Sequence, residues 1–340
     1  MKIAVVGAGI IGLSAARCIQ QENSEVEVII VADVVDLSTT SDGAAGLFHP
    51  DQVDTDHPED LKQWIQDSAE HYWKHCYSEH APAMGIFEIS GYTVTKFDKA
   101  AVEDSVFHQH VRNFRRIEGA DLDKVGGGPW RYGSFKSTLI TEPRIMMNYL
   151  LGAFQKANGT IRQQKVGSLQ DLAAEFDVVV NCAGLMAGAL VNDDAVFPIR
   201  GQVTRVNAPW IKHFYHTDDN TYIIPNRDLV VVGGTRQKDN WSLDFSVEDR
   251  EAYMQRASAY LPSIRKAEII REWVGLRPGR PFVRLETEML QLPGDKVLPL
   301  VHNYGHGGNG IALSWGCGRH TARLVRELLE DMKAKPKTIK

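Results

Sequence analysis

A mixed α/β chain with α+β character is expected, in which a parallel, helix-flanked sheet is interleaved with a mainly antiparallel one. Three observations carry this expectation. Residues 2–6, KIAVV, run into Gly7-Ala8-Gly9-Ile10-Ile11-Gly12, and Leu13-Ser14-Ala15-Ala16-Arg17-Cys18-Ile19 continues at helical spacing: strand, tight turn, helix. A second apolar run, Val178-Val179-Val180-Asn181-Cys182-Ala183-Gly184, ends in another small-residue turn, as a buried parallel strand would. From 196 to 232 the chain instead alternates short strand-like runs with turns, which reads as an antiparallel meander.

In the opening turn Gly7 permits the tight bend, Gly9 lets the backbone approach a pyrophosphate, and Gly12 lets the helix pack on its strand. The helix N-terminus then offers unpaired N–H groups to phosphates. A second strand, residues 26–31, is followed by Asp33, about 20 residues past the turn, where an acid accepts ribose hydroxyls. This is Rossmann-like, and it calls for a dinucleotide with an unphosphorylated ribose. Next come Thr39, Thr40 and Ser41, then Ala44, Ala45 and Gly46. They read either as a polar loop or as hydroxyls for phosphate followed by small residues against which a planar ring can lie. Their place directly after the ribose acid favours the second.

Residues 51–140 differ in character. Residues 57–77 read as an amphipathic helix rich in Trp, Tyr and His, 86–97 alternate like strands, and Gly126-Gly127-Gly128-Pro129 closes a charged stretch as a loop. The block is expected as an insertion outside the dinucleotide fold. Its His71, His75, His80, His108 and His110 lack a partner set for a metal, and packed or solvated histidines are the expectation. Residues 143–157 read as a helix with Thr141 as N-cap. Within the meander, residues 207–220 form a long polar and aromatic stretch, expected as a loop and often a lid. Residues 245–260 read as a helix, and 273–284 return to extended structure. A third glycine cluster, Asn303 to Gly310 in sequence, precedes a helix expected over 321–331.

The totals narrow the function. With 340 residues, 43% apolar and 24% charged, the chain can bury a sizeable core. A net charge of −5 without a basic stripe argues against nucleic acid. No apolar run has the length of a membrane span, and the first apolar segment is too short for a signal peptide. The cysteines (Cys18, Cys76, Cys182, Cys317) lie far apart without metal or redox spacing, which fits a reducing compartment. Cys182, in an apolar strand end, reads as buried filler rather than nucleophile. Three glycine-bearing strand ends spread along the chain point to a large cofactor, FAD held non-covalently. The expected division is 1–50, 141–195 and 285–340 for FAD, with 51–140 and 196–284 for substrate.

Val301-His302-Asn303-Tyr304-Gly305-His306-Gly307-Gly308-Asn309-Gly310 with Trp315-Gly316 resembles the signature of the D-amino acid oxidase family. So do Thr39-Thr40-Ser41-Asp42, Ala44-Ala45-Gly46, Val180-Asn181-Cys182-Ala183-Gly184, Thr221-Tyr222-Ile223-Ile224-Pro225 and Gly275-Leu276-Arg277-Pro278. The resemblance spans nearly the whole chain, in family order. It departs at Cys317-Gly318, where an alanine is usual, read as helix-entry packing.

The resemblance implies FAD contacts at Gly7, Ala8, Gly9, Ile10, Ile11, Gly12, Asp33, Thr39, Thr40, Ser41, Ala45, Gly46, Leu47, Val166 and Gly184. It adds Arg277, Gly307, Gly308, Gly310, Ile311 and Ala312. The implied reaction passes hydride from the Cα of a D-amino acid to flavin N5. The imino acid then hydrolyses, and O2 reoxidises the flavin with release of H2O2. Arg277 and Tyr222 would hold the α-carboxylate, and the Gly308 carbonyl would accept from the amine.

Gly233-Gly234-Thr235-Arg236-Gln237-Lys238 is similar to the D-aspartate oxidase branch, in which Arg236 would pair with an acidic side chain; the plainer reading is a solvated arginine. His216 stands where that branch tends to carry a lid arginine, so a lid contact stays open. The rivals are a broad D-amino acid oxidase or one preferring D-glutamate, a non-catalytic dinucleotide-binding module, and a colourless NAD-dependent dehydrogenase, disfavoured because an acid/base group is not evident. An oligomer is possible. The family's S-K-L-like peroxisomal address is absent from Lys337-Thr338-Ile339-Lys340, which leaves peroxisome or cytoplasm.

Overall fold

The computed structural model describes residues 1–50, 55–97, 99, 102 and 108–334. The terminal tetrapeptide discussed above lies outside them. Two sheets organise the described residues. In the first, β1 (Lys2–Val6), β2 (Glu27–Ala32), β6 (Thr160–Gln163) and β7 (Val178–Asn181) run parallel. The hairpin of β14 (Arg284–Leu292) and β15 (Lys296–Tyr304) completes it in the order β14-β15-β7-β1-β2-β6.

Alternate residues explain why KIAVV is apolar throughout. Ile3 and Val5 enter one core with Leu13, Ile19 and Val301, while Ala4 and Val6 enter another with Val31, Leu172 and Phe176. A parallel strand covered on both faces has no side left for polar residues.

The second sheet is built by β3 (Ile86–Thr95), β4 (Arg112–Ile117), β5 (Tyr132–Thr141), β8 (Phe197–Asn207) and β9 (Phe214–Thr217). It is joined by β10 (Tyr222–Pro225), β11 (Val230–Gly233), β12 (Gln237–Lys238) and β13 (Glu268–Gly279). Its order is β12-β8-β11-β10-β9-β3-β5-β4, with β13 also on β8. Its pairs are antiparallel apart from β3 with β9.

Five long helices matter for the site: α1 (Ile10–Glu22), α2 (Pro58–Cys76), α3 (Pro143–Lys156), α4 (Val247–Tyr260) and α5 (Gly310–Ala334). Four expectations need correction. The stretch 207–220 is not one lid-like loop, because β9 within it is hydrogen-bonded on both edges, to β3 and β10. The closing helix begins at Gly310 rather than 321. Its internal glycines look like breakers in sequence but serve close packing. A Cβ at Gly316 would fall 2.1 Å from the Trp64 carbonyl oxygen, and one at Gly318 would fall 3.0 Å from the Ser14 backbone.

The third correction concerns α2, which does not stand apart from the dinucleotide fold: its Leu61, Trp64, Ile65 and Tyr72 share the core of α1 and α5. Trp64 Nε1 donates to His320 Nδ1 at 2.8 Å, and Tyr72 donates to the Ile311 carbonyl at 3.1 Å. The fourth concerns α3, whose cap is Glu142 without a side-chain bond; Thr141 is the buried last residue of β5.

Candidate functional site

The strand register writes the site. Thr93 lies opposite His216, His216 opposite Tyr222, Tyr222 opposite Gly233, Gly233 opposite Val203, and Val203 opposite Trp273. Residues directly opposite share a face, so one rung across five neighbouring strands, carried over to β13, points its side chains one way. Thr93, His216, Tyr222, Val203 and Trp273 all line a cavity of about 1210 Å³ between the two sheets. His49 reaches it from the loop before α2, with its ring centroid 4.7 Å from that of His216. Burial, with Lys136 and His216 nearby, holds His49 well below the usual imidazole range, so it is neutral near pH 7.

Glycines make the room that large side chains fill. The Trp273 indole occupies the space a Cβ on Gly43 or Gly275 would need, within 2.0 Å and 1.9 Å. The Arg277 guanidinium lies over Gly201, where a Cβ would fall 2.1 Å from Nη1. Arg277 Nη1 donates to the Thr235 carbonyl at 3.2 Å. Arg236 stands in the connection from β11 to β12, not at a strand end, and lines the same cavity. Gly308 sits between the two arginines: a Cβ there would be 3.8 Å from Arg236 Nη1 and 3.9 Å from Arg277 Cδ.

The other end of the cavity is lined by the first turn. Gly7 has φ +109°, and a Cβ on it would fall 2.5 Å from the Cys182 carbonyl oxygen. Gly9 faces open space bounded by Ser41 Oγ and Thr39 Oγ1, 3.5 Å and 3.8 Å from an added Cβ. Ala8, Ile10, Ile11, Asp33, Val166, Gly184, Gly307, Gly310, Ile311 and Ala312 line the cavity too, as do Thr39, Thr40, Ala45, Gly46 and Leu47. Gly12 does not. It is buried against the Gly7 carbonyl oxygen, 2.0 Å from where its Cβ would be, so its part is helix-on-strand packing rather than contact.

The three loop hydroxyls are engaged within the fold: Ser41 Oγ accepts from the Ile10 N–H at 3.3 Å, Thr40 Oγ1 donates to the Leu276 carbonyl at 3.0 Å, and Thr39 Oγ1 makes a weak bond to Met147 Sδ at 3.9 Å. The loop is held from behind by charge. Buried Asp42 accepts from Arg144 Nε at 2.6 Å and Nη2 at 2.9 Å, and from Arg271 at 3.3 Å. Burial raises the Asp42 carboxyl, but the two arginines outweigh it and hold it below the usual range. Arg205 donates to the Gly43 and Ala44 carbonyls at 3.2 Å and 3.3 Å.

A dinucleotide fits this lining. The Gly9 cradle leaves backbone exposed to it, and two buried polar atoms of cavity-lining residues stand without a protein partner: His306 Nε2 and Asn303 Oδ1. A buried polar atom left unpaired costs about 1–3 kcal/mol, which a bound polar ligand removes. Burial drives the His306 imidazole down to about 4, so it offers a neutral ring. Sequence reasoning missed His306, Asn303, His49 and Trp273. Trp273 was accessible from alternation alone, four residues before Arg277 on the same strand face.

A family model described as FAD dependent oxidoreductase matches residues 2–324. D-aspartate oxidase of Homo sapiens is 37% identical over 98% of this chain and 96% of its own. A D-amino-acid oxidase of Rubrobacter xylanophilus is 36% identical over 94% of each. Among solved structures, glycine oxidase from Bacillus cereus superposes with a TM-score of 0.77 at 19% identity, over 96% of this chain and 95% of that one, a likeness of fold. Among the described residues no helix is long and apolar enough to cross a membrane, and no cluster of His, Cys, Asp or Glu has the makings of a metal site.

Proposed function

The chain belongs to the FAD-dependent oxidoreductase family and takes FAD as its cofactor, and from that premise we propose that it oxidises acidic D-amino acids, D-aspartate foremost, to the 2-oxo acid, ammonia and H2O2 with O2 as acceptor. Relatives that bear D-aspartate oxidase and D-amino-acid oxidase names support the D-amino acid class. The acidic preference rests on one observation, the convergence of Arg236 and Arg277 on Gly308. Bound FAD supplies the two-electron acceptor.

The chain's own residues then bind and orient. Arg277 pairs with the α-carboxylate through a bidentate fork, and Tyr222 donates to the same group. The Gly308 carbonyl accepts from the amine, so carboxylate and amine together choose which face of Cα is presented. Arg236 pairs with the side-chain carboxylate, and an apolar side chain would leave it unpaired at a cost. In this reading segments 1–50, 141–195 and 285–340 hold the cofactor, and 51–140 and 196–284 hold the substrate, with α2 the exception that packs in the core of the cofactor segments.

Arg236→Leu tests it. Hydrogen bonds to a charged group are worth about 1.5–3 kcal/mol, or roughly 10- to 200-fold. The expected result is a loss of that size in kcat/KM for D-aspartate with D-alanine little changed. Equal losses on both substrates would leave a broad D-amino acid oxidase.

A further inference from the structure

Arg236 makes no hydrogen bond or ion pair of its own to a described residue, yet it must face the cavity to act on a substrate. What sets its facing lies on the reverse side of the sheet. Along β8, Gly201 and Val203 face the cavity, so Arg200, Gln202 and Thr204 face α4, where Thr204 Oγ1 meets the Tyr253 hydroxyl at 2.6 Å. Gln237 pairs directly opposite Arg200 in β12 and therefore shares that reverse face. Its neighbour Arg236 is thereby turned towards the cavity.

Arg200 is 2% exposed and spends its whole guanidinium on this corner. Nη1 donates to Gln237 Oε1 and to Asp249 Oδ2, both at 2.8 Å. Nε donates to the Ser242 carbonyl at 3.0 Å, and Nη2 to Gln202 Oε1 at 3.0 Å and the Asp244 carbonyl at 2.5 Å. Gln237 Nε2 in turn donates to both Asp249 carboxylate oxygens at 3.2 Å, and its Oε1 also accepts from Asn240 at 3.2 Å. Asp249 lies in the first turn of α4, whose N-terminus favours its charge. The two-residue strand β12 is flanked by backbone bonds from the Thr235 N–H to the Gln202 carbonyl at 3.4 Å and from the Asp239 N–H to the Pro198 carbonyl at 2.9 Å. The Gln237 clamp adds the side-chain restraint on its reverse face, and a slip of one residue would turn Arg236 away from the cavity.

We propose that Gln237, clamped between Arg200 and Asp249 on the reverse face, is a positioning residue that aims Arg236 and so sets the preference for an acidic side chain. The inference rests on the reading of Arg236 given above. Gln237→Met keeps the length and removes the side-chain hydrogen bonds to Arg200, Asp249 and Asn240 while leaving the other Arg200 bonds in place. Its expected effect is a rise of about tenfold in KM for D-aspartate with kcat within about twofold, while kcat/KM for D-alanine and the FAD dissociation constant hold. A merely structural role would lower both substrates together. Parallel losses, or no change in KM for D-aspartate, would overturn the clamp. Should Gln237→Met not fold, Asp249→Asn, which removes the charged end of the clamp, reads the same quantities. Arg236→Leu is measured alongside. If that variant fails to discriminate between the substrates, the acidic reading falls and the clamp with it; if it discriminates and Gln237→Met does not, the clamp alone falls.

Discussion

At Gly201 the absence of a side chain is what lets the Arg277 guanidinium lie against the β8 backbone, since an added Cβ would stand 2.1 Å from Nη1 and 2.4 Å from Cζ. Gly201→Ala must push the fork off its seat, and the bidentate geometry it offers a carboxylate is directional. Steady-state kinetics should therefore show KM raised about tenfold or more for D-aspartate and D-alanine alike, because both carry the α-carboxylate. A loss confined to D-aspartate would show that Arg277 is not the α-carboxylate clamp. Arg277 was legible in sequence from Gly275-Leu276-Arg277-Pro278, but Gly201 was not. Its partner lies 76 positions away across β8 and β13, and only the register opposing Gly201 to Gly275 reveals the contact.

Among elements, the loop carrying Thr39 to Ala45 shows how a local signal and a distant restraint combine. The hydroxyl and small-residue pattern announced the loop; what holds it did not show, because Arg144 comes from α3, Arg205 from β8 and Arg271 from β13. Asp42 is the common partner of two of them and is 6% exposed. Arg144 and Arg271 keep about half of their side-chain surface in water, so the charges left behind stay partly solvated and the cost of removing Asp42 lies well below that of breaking a fully buried pair. Asp42→Ala should thus loosen the loop beneath the cofactor and weaken FAD binding at least about tenfold, read by fluorescence titration, along with a lower melting temperature of the apoprotein. FAD binding as tight as in the parent would show that the loop keeps its place without this anchor. The same contrast explains β9 and α5. Four residues of strand sat unseen in a polar stretch because β3 and β10 supply the pairing, and the glycines of α5 hid a helix whose close neighbours α1 and α2 require them.

For the whole molecule, the layers meet where α2 and α5 cross, and that junction carries a titratable bond. Trp64 Nε1 donates to His320 Nδ1, which therefore must be unprotonated. Burial, with Arg323 adding to it, depresses His320 from 6.5 to about 4, and burial alone takes His306 from 6.5 to about 4. A histidine whose folded pKa lies below its unfolded value binds fewer protons in the native state. Between pH 6.5 and 4 the unfolded chain is thus the better proton acceptor, and stability falls as pH falls through that window. The slope for a fully buried group approaches ~1.4 kcal/mol per pH unit, and less is expected of His320, which keeps some solvent contact. Bound FAD raises the entire curve by mass action, about 2.7 kcal/mol at one hundred times its dissociation constant, without removing the slope. Melting temperatures measured at saturating FAD should hold from pH 8 to 7 and drop progressively from 6.5 to 5. In His320→Gln the amide oxygen can still accept from Trp64 but takes up no proton, so the decline should be shallower at an equal melting temperature near neutrality. A decline of the same steepness in the variant would remove this junction from the account of acid sensitivity and leave it to His306 and the other buried imidazoles.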